Sequence, residues 1–194
     1  MRFLFAVTYT VSTIFSANVD SAEIPTPRPH VFTAKVANVR LSARLLSQGK
    51  KPEDMVSISV PAIIFAQPME IGDVRSANTH SMPEVDTVIR YMKANIDGNV
   101  QVILSFWLPE ERAEKSKLLS QPSMFQANRD YFTKNPGLSV IGLVFQTRTT
   151  SVLIKRPAGA LGVTLVKKDG RLYLTDHPSN DLELAIIEAS FFAH

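Results

Sequence analysis

Apolar and polar positions change period along this chain, and each change predicts a different kind of element. Phe32, Ala34 and Val36 alternate with polar neighbours. Val39, Leu41, Ala43 and Leu45 alternate with Arg40, Ser42 and Arg44 in the opposite phase. A period of two is that of a half-buried strand, and the phase change predicts a bulge or break near Ala37 and Asn38. A polar turn follows over 48–53. Val56, Ile58 and Val60 then alternate with Ser57 and Ser59 up to Pro61, and 62–66 continue as a short apolar run.

The period then lengthens. Ser81 and Glu84 have the spacing of a capping box, in which the hydroxyl accepts from the N3 amide and the carboxylate reaches back. Val85, Val88, Ile89 and Met92 form one face of the helix this predicts, which stops near Asp97 and Gly98. Val100, Ile103, Leu104 and Trp107 repeat the spacing, while Val102, Leu104 and Phe106 also alternate. Helix is favoured for 100–107, with strand left open. Pro109 and Pro122 sit where a first helical turn tolerates proline. They open helices over 110–119 and across Phe125, Tyr131 and Phe132, and Asn135-Pro136-Gly137 closes the block.

In the last third, 138–145, 151–155 and 161–166 are apolar runs rich in Val, Ile and Leu, with a loop at 156–159. Asp169-Gly170 between two such runs predicts a two-residue type I′ hairpin, because that turn matches the twist of the flanking strands. Ser179 is the expected cap of a terminal helix over 179–192, with Leu182, Ala185, Ile186 and Ala189 on one face. Strands and helices are segregated, so the fold class expected is α+β: an N-terminal strand pair, a helical block, a curved antiparallel meander and a terminal helix.

The N-terminus carries a different kind of signal. Arg2 precedes a charge-free run over 3–17, of a length suited to a signal-peptide core and short for a membrane span. Val19 and Ser21 fit the −3 and −1 positions of cleavage after Ser21, with cleavage after Ala22 as the alternative. Residues 1–22 are thus expected to be a signal peptide, 23–30 a proline-rich linker, and 31–194 one domain. Within that domain, 31–75 form an N-terminal strand extension, 81–175 the core and 179–192 the terminal helix. The expected location is periplasmic or secreted, with no stable membrane insertion after leader removal.

Composition narrows the chemistry. Hydrophobic residues are 45% and charged residues 20% of 194, an ordinary globular balance. There is no cysteine, which excludes disulfides, thiolate metal sites and a cysteine nucleophile. The net charge is only +3, and the tightest basic groups are the pairs Lys50-Lys51 and Lys167-Lys168, so nucleic-acid binding is not expected.

Residues 83–175 resemble the NTF2-like (SnoaL-like, cystatin-like) cone. The resemblance rests on the capped helix, on Ala94-Asn95-Ile96-Asp97-Gly98-Asn99, on Phe106-Trp107-Leu108-Pro109-Glu110-Glu111-Arg112, and on the hairpin Lys168-Asp169-Gly170-Arg171-Leu172-Tyr173. It implies helices closing the concave face of a curved sheet around a pocket. The chain departs from that pattern in lacking a clear strand among the helices and in its extra terminal elements. The cone hosts enzymes, binding modules and secretion-system parts alike, so it implies no single activity.

Candidate chemistry is sparse. His30, His80, His177 and His194 lie in or beside expected loops or termini without metal-ligand spacing, so no metal and no cofactor are expected. Glu110, Glu111 and Glu114 form an acidic cluster that the dipole of a helix start explains. Gly159 and Gly162 lack the spacing and lysine of a phosphate loop, and no serine stands in a nucleophile-elbow context. Tyr91, Trp107, Phe125 and Tyr173 are the candidate ligand-binding residues. Asp130, Tyr131 and Asp176, with Tyr91, could supply the carboxylate base and tyrosine donor of isomerase-like proton transfer. The reading favoured is an exported non-enzymatic protein that binds a small apolar ligand or a protein partner. Proton-transfer catalysis and a subunit role in a larger assembly are the alternatives. Protein recovered outside the cytoplasm should have an intact mass lacking the first 21 or 22 residues, and a full-length mass there would contradict cleavage.

Overall fold

A nineteen-residue strand, β2 (Met55–Asp73), runs through the computed structural model, which describes residues 25–156, 159–176 and 181–192. The expected leader lies outside the described residues. The first half of β2 pairs antiparallel with β1 (Arg28–Lys35), from Lys35↔Met55 to Arg28↔Ala62. The second half pairs with β3 (Gly137–Phe145). β4 (Thr149–Lys155), β5 (Ala160–Lys168) and β6 (Arg171–Leu174) complete one antiparallel sheet in sequential order. The fold is α+β, with the strand pair, helical block, meander and C-terminal helix in the expected order.

β2 must bend to serve both neighbours. Between Ile64↔Gly142 and Met69↔Val140 it advances five residues while β3 moves back two, and a further irregularity lies between Glu70 and Gly72. Pro68 sits inside the first irregularity, where its missing N–H removes no ladder bond. Gly142 lies at its edge. A Cβ there would stand 2.5 Å from the Ile63 carbonyl oxygen and 2.8 Å from Ile64 Cδ1, so only glycine permits this approach. The apolar pattern indicated β2 only as far as residue 66. The extension through Gln67–Asp73 carries little alternation because it is bulged.

The helical block is α2 (Pro83–Asp97), α3 (Val100–Ser105), α4 (Arg112–Leu119) and α5 (Pro122–Lys134). It packs on one face of the sheet. Val85, Val88, Ile89 and Met92 of α2 are buried, as their spacing predicts, against Val140, Leu143, Val152, Ile154 and Leu165. The other face carries α6 (Leu182–Ala189), whose Ile187 packs with Phe32, Ile141, Val144 and Leu153. Trp107, just beyond α3, forms an isolated parallel bridge with Leu174 of β6.

Several expectations need correction. Residues 39–45 are not a strand: Val36–Asn38 form a 3₁₀ turn and Ser42–Ser47 form α1. β1 and β2 pair directly, so the chain between them folds as a connection, with Val39 and Leu45 buried under Ala185, Ile186 and Ala189 of α6. The expected bulge near Ala37 and Asn38 is that 3₁₀ turn. β1 begins at Arg28, inside the expected linker, and so takes in His30. Ser81 does not cap α2. Pro83, which fixes φ and lacks an N–H, sets the first turn, leaving Met82 as N-cap without a side-chain bond. The approach is held instead by Asp86, which accepts from the His80 amide, and by His80 Nδ1, which accepts from the Met82 amide. Asp181 caps α6 by accepting from the Glu183 and Leu184 amides, and Ser179 lies outside the described residues. Glu110 and Glu111 precede α4 rather than form its first turn, because Glu111 is engaged by the end of β6.

The hairpin is as expected: Asp169 and Gly170 have φ of 50° and 75°, and Lys168 faces Arg171. For Gly142, overpacking typically costs about 1–3 kcal/mol. Gly142→Ala should lower stability by that order in chemical denaturation, and an unchanged midpoint would contradict the close strand approach.

Candidate functional site

β6 is only four residues long, and it covers Leu165–Lys168 of β5. The ladder extends one bond further, from the Thr175 amide to the Thr164 carbonyl at 3.1 Å, and then stops. On the edge facing away from β4, residues 160–164 of β5 thus have no strand beside them among the described residues. A cavity of about 350 Å³ opens there. It lies at the lower end of the range of about 300–1,000 Å³ usual for small-molecule sites.

Its floor is apolar: Val88 and Met92 of α2, Ile154 of β4, Val163 of β5 and Leu174 of β6. Tyr91, Trp107 and Phe132 form an aromatic wall. The Tyr91 ring meets those of Trp107 and Phe132 edge-on, with centroids 6.0 and 5.9 Å away, and Phe106 lies behind at 6.0 Å. Edge-to-face packing places ring edges against π faces and is favourable by about 0.5–1.5 kcal/mol per pair beyond area burial. The wall is therefore set before any ligand arrives. Burial pushes the Tyr91 hydroxyl from its ordinary 10.0 to about 12. The Asp176 charge adds to the rise, while hydrogen bonding with Asn95 and Trp107 opposes it.

Trp107 is braced on its far side. Lys115 of α4 places its ammonium 4.3 Å from the indole centroid and pairs with Asp176. That side chain is only 11% exposed, so its cation–π contact is largely shielded from water. The backbone around Trp107 is tied to β6, with Leu174 donating to Phe106 O at 2.7 Å and Leu108 donating to Leu174 O at 3.1 Å. Glu111 accepts from Thr175 Oγ1 at 2.5 Å and from the Asp176 amide at 3.1 Å.

On the α6 side, Glu188 accepts from the Gly162 amide at 2.9 Å and from Arg40 Nε at 2.9 Å. A carboxylate substitutes for the missing strand at the β5 edge. A Cβ on Gly162 would come within 2.8 Å of Leu184 Cδ1, so α6 lies directly on that edge. Arg156, after β4, lines the cavity with its guanidinium carbon 5.4 Å from the Tyr131 centroid.

Of the residues singled out from sequence, the fold brings Tyr91, Trp107, Tyr131 and Asp176 to one cavity. Phe125 packs in the adjoining core beside Gly98. Tyr173 lies between the guanidinium groups of Arg112 and Arg171, away from the lining. Asp130 is on the outer part of α5, accepting from Gln126 Nε2 at 2.6 Å with Lys134 at 4.0 Å. Its neighbour Tyr131 reaches the cavity without it. Sequence reasoning missed Arg40, Lys115, Arg156 and Glu188. Only Glu188 left a signal, a carboxylate on the otherwise apolar face of α6, which demands a partner. Among the described residues, no group of three or more His, Asp or Glu side chains is placed to hold a metal, and no helix is long and apolar enough to cross a membrane.

No family model, curated protein or solved structure matches this chain.

A raised tyrosine pKa favours the neutral hydroxyl in the folded state. Its contribution to stability is complete below pH 10 and is lost as pH rises from 10 to about 12. The stability difference between the native chain and Tyr91→Phe should therefore hold steady up to pH 10 and shrink above it. A constant difference through pH 12 would contradict the burial of this hydroxyl.

Proposed function

We propose that this chain is a non-enzymatic binding protein that takes a small molecule with a flat, apolar body into the cavity between α2, β5 and α6. The carrying observation is the pre-packed aromatic wall of Tyr91, Trp107 and Phe132 over an apolar floor, opening beside an uncovered strand segment. Concave apolar surfaces with a few fixed polar groups are the usual setting for ligands of this kind. Export and kinship with NTF2-like cones are part of the same proposal. The first is supported by the charge-free run after Arg2 and the second by helices closing one face of a bent sheet.

Proton-transfer catalysis is the second reading. It is favoured by Tyr91, a buried donor, sharing the cavity with the carboxylate of Asp176. Against it, Asp176 is 55% exposed and held by Lys115, which leaves its lone pairs partly occupied.

Trp107 is the sole tryptophan, so occupancy of the cavity reads directly in intrinsic fluorescence. Titration with a neutral naphthalene such as 2-naphthylethanol should shift or quench that emission saturably. Trp107→Ala should weaken binding at least tenfold by calorimetry, while Asp130→Asn, outside the cavity, leaves it within about twofold. Turnover of an extracted small molecule that Asp176→Asn abolishes in a folded protein would replace this reading with the catalytic one.

A further inference from the structure

The charges around the cavity are unequally satisfied. Two carboxylates line it, and each has a basic partner: Asp176 pairs with Lys115, and Glu188 with Arg40 and the Gly162 amide. Arg156 is different. Among the described residues its guanidinium makes no ion pair, and it lies over the face of Tyr131. Arg156 is half-buried and directly follows the last residue of β4. The Arg156 amide donates to Gly159 O at 3.1 Å, closing the β4–β5 turn. Gly159, at φ 93°, lies so close to the end of α6 that a Cβ would come within 2.8 Å of the Phe192 ring, just past the helix, and 3.2 Å of the Glu188 carbonyl oxygen. Gly159 is thus held against the C-terminal helix and the residues after it, and Arg156 stands beside the cavity.

We infer that the ligand is an amphipathic carboxylic acid, with its flat apolar body against Tyr91, Trp107 and Phe132 and its carboxylate on Arg156. This rests on the binding role proposed above and adds the chemical class. The planar guanidinium presents donors in a fork that matches a carboxylate, and Tyr131 restricts the guanidinium to one side. A cationic head finds both nearby carboxylates already engaged. A neutral head leaves Arg156 without an anionic partner in partly desolvated surroundings.

Three probes of one shape separate these cases: 2-naphthylacetate, 2-naphthylethanol and 2-naphthylethylamine, titrated into the full chain by calorimetry. The acid should bind about tenfold or more tighter than the alcohol, and the amine weakest, since a hydrogen bond to a charged group typically contributes that much. Arg156→Gln should bring the acid-to-alcohol affinity ratio to about one. Arg156→Lys should retain part of the preference. Raising salt should weaken the acid alone. Equal binding of acid and alcohol, tighter binding of the amine, or an acid preference that survives Arg156→Gln would overturn the inference. Failure of all three probes would overturn the cavity reading itself. A native-like far-ultraviolet circular dichroism spectrum is the check that Arg156→Gln is folded, and loss of that spectrum moves the decision to Arg156→Lys. If that variant binds the alcohol normally, its acid preference must persist.

Discussion

The bend in β2 is the constraint on which the rest of the structure depends. One strand has to pair with β1 at its start and with β3 at its end, and straight pairing would not let both neighbours keep their apolar faces covered. The extra residues around Pro68 take up the difference, and the missing side chain at Gly142 lets the two backbones approach where the register slips. Strand bulges increase local twist and redirect the following segment. Here that redirection leaves one face for α2 to α5 and the other for α6, giving separate cores on the two sides of one sheet.

The cavity arises from the opposite end of the same sheet. β6 ends after four residues, so β5 extends past its neighbour. An uncovered strand edge presents unpaired backbone groups, which folded proteins cover or neutralise. Glu188 meets that need at Gly162, and Arg40 pairs with the same carboxylate. The cost of bringing a carboxylate to 8% exposure is offset by charge-assisted bonds from both sides. The space beside this edge is therefore bounded by a backbone held open, which distinguishes it from a gap that side chains could collapse into.

The aromatic wall depends on a chain of contacts that crosses three elements. Trp107 is held by backbone bonds to β6 and by Lys115 from α4, while Lys115 is itself held by Asp176 beyond β6. Tyr91 from α2 closes the arrangement edge-on, and α2 is tied to α5 where Asn128 donates to Asn95 at 2.5 Å. Each link fixes a rotamer that would otherwise be lost to entropy on ligand binding. Asn95, 1% exposed, does this with both its donor and its acceptor used.

The sequence by itself determined what depends on neighbours a few residues apart. The face of α2, the helix opened by Pro122 and the type I′ turn at Asp169-Gly170 all follow from local sterics and period. The segregation of strands from helices, which sets the α+β class, is legible in the same way. Local pattern failed where a distant partner decided the outcome. Val39 to Leu45 alternate like a strand, yet direct pairing of Lys35 with Met55 leaves them no sheet to join, and their apolar side chains are taken up by α6. Tyr91, Trp107, Tyr131 and Asp176 were visible as residue types, but nothing local distinguishes them from Phe125, Tyr173 and Asp130, which the fold places elsewhere. Glu111 reads as helix-start charge until the end of β6 arrives to claim it. Arg156 reads as loop. Its significance comes only from which carboxylates already have partners, and in this fold those partners lie 61 and 148 residues apart along the chain.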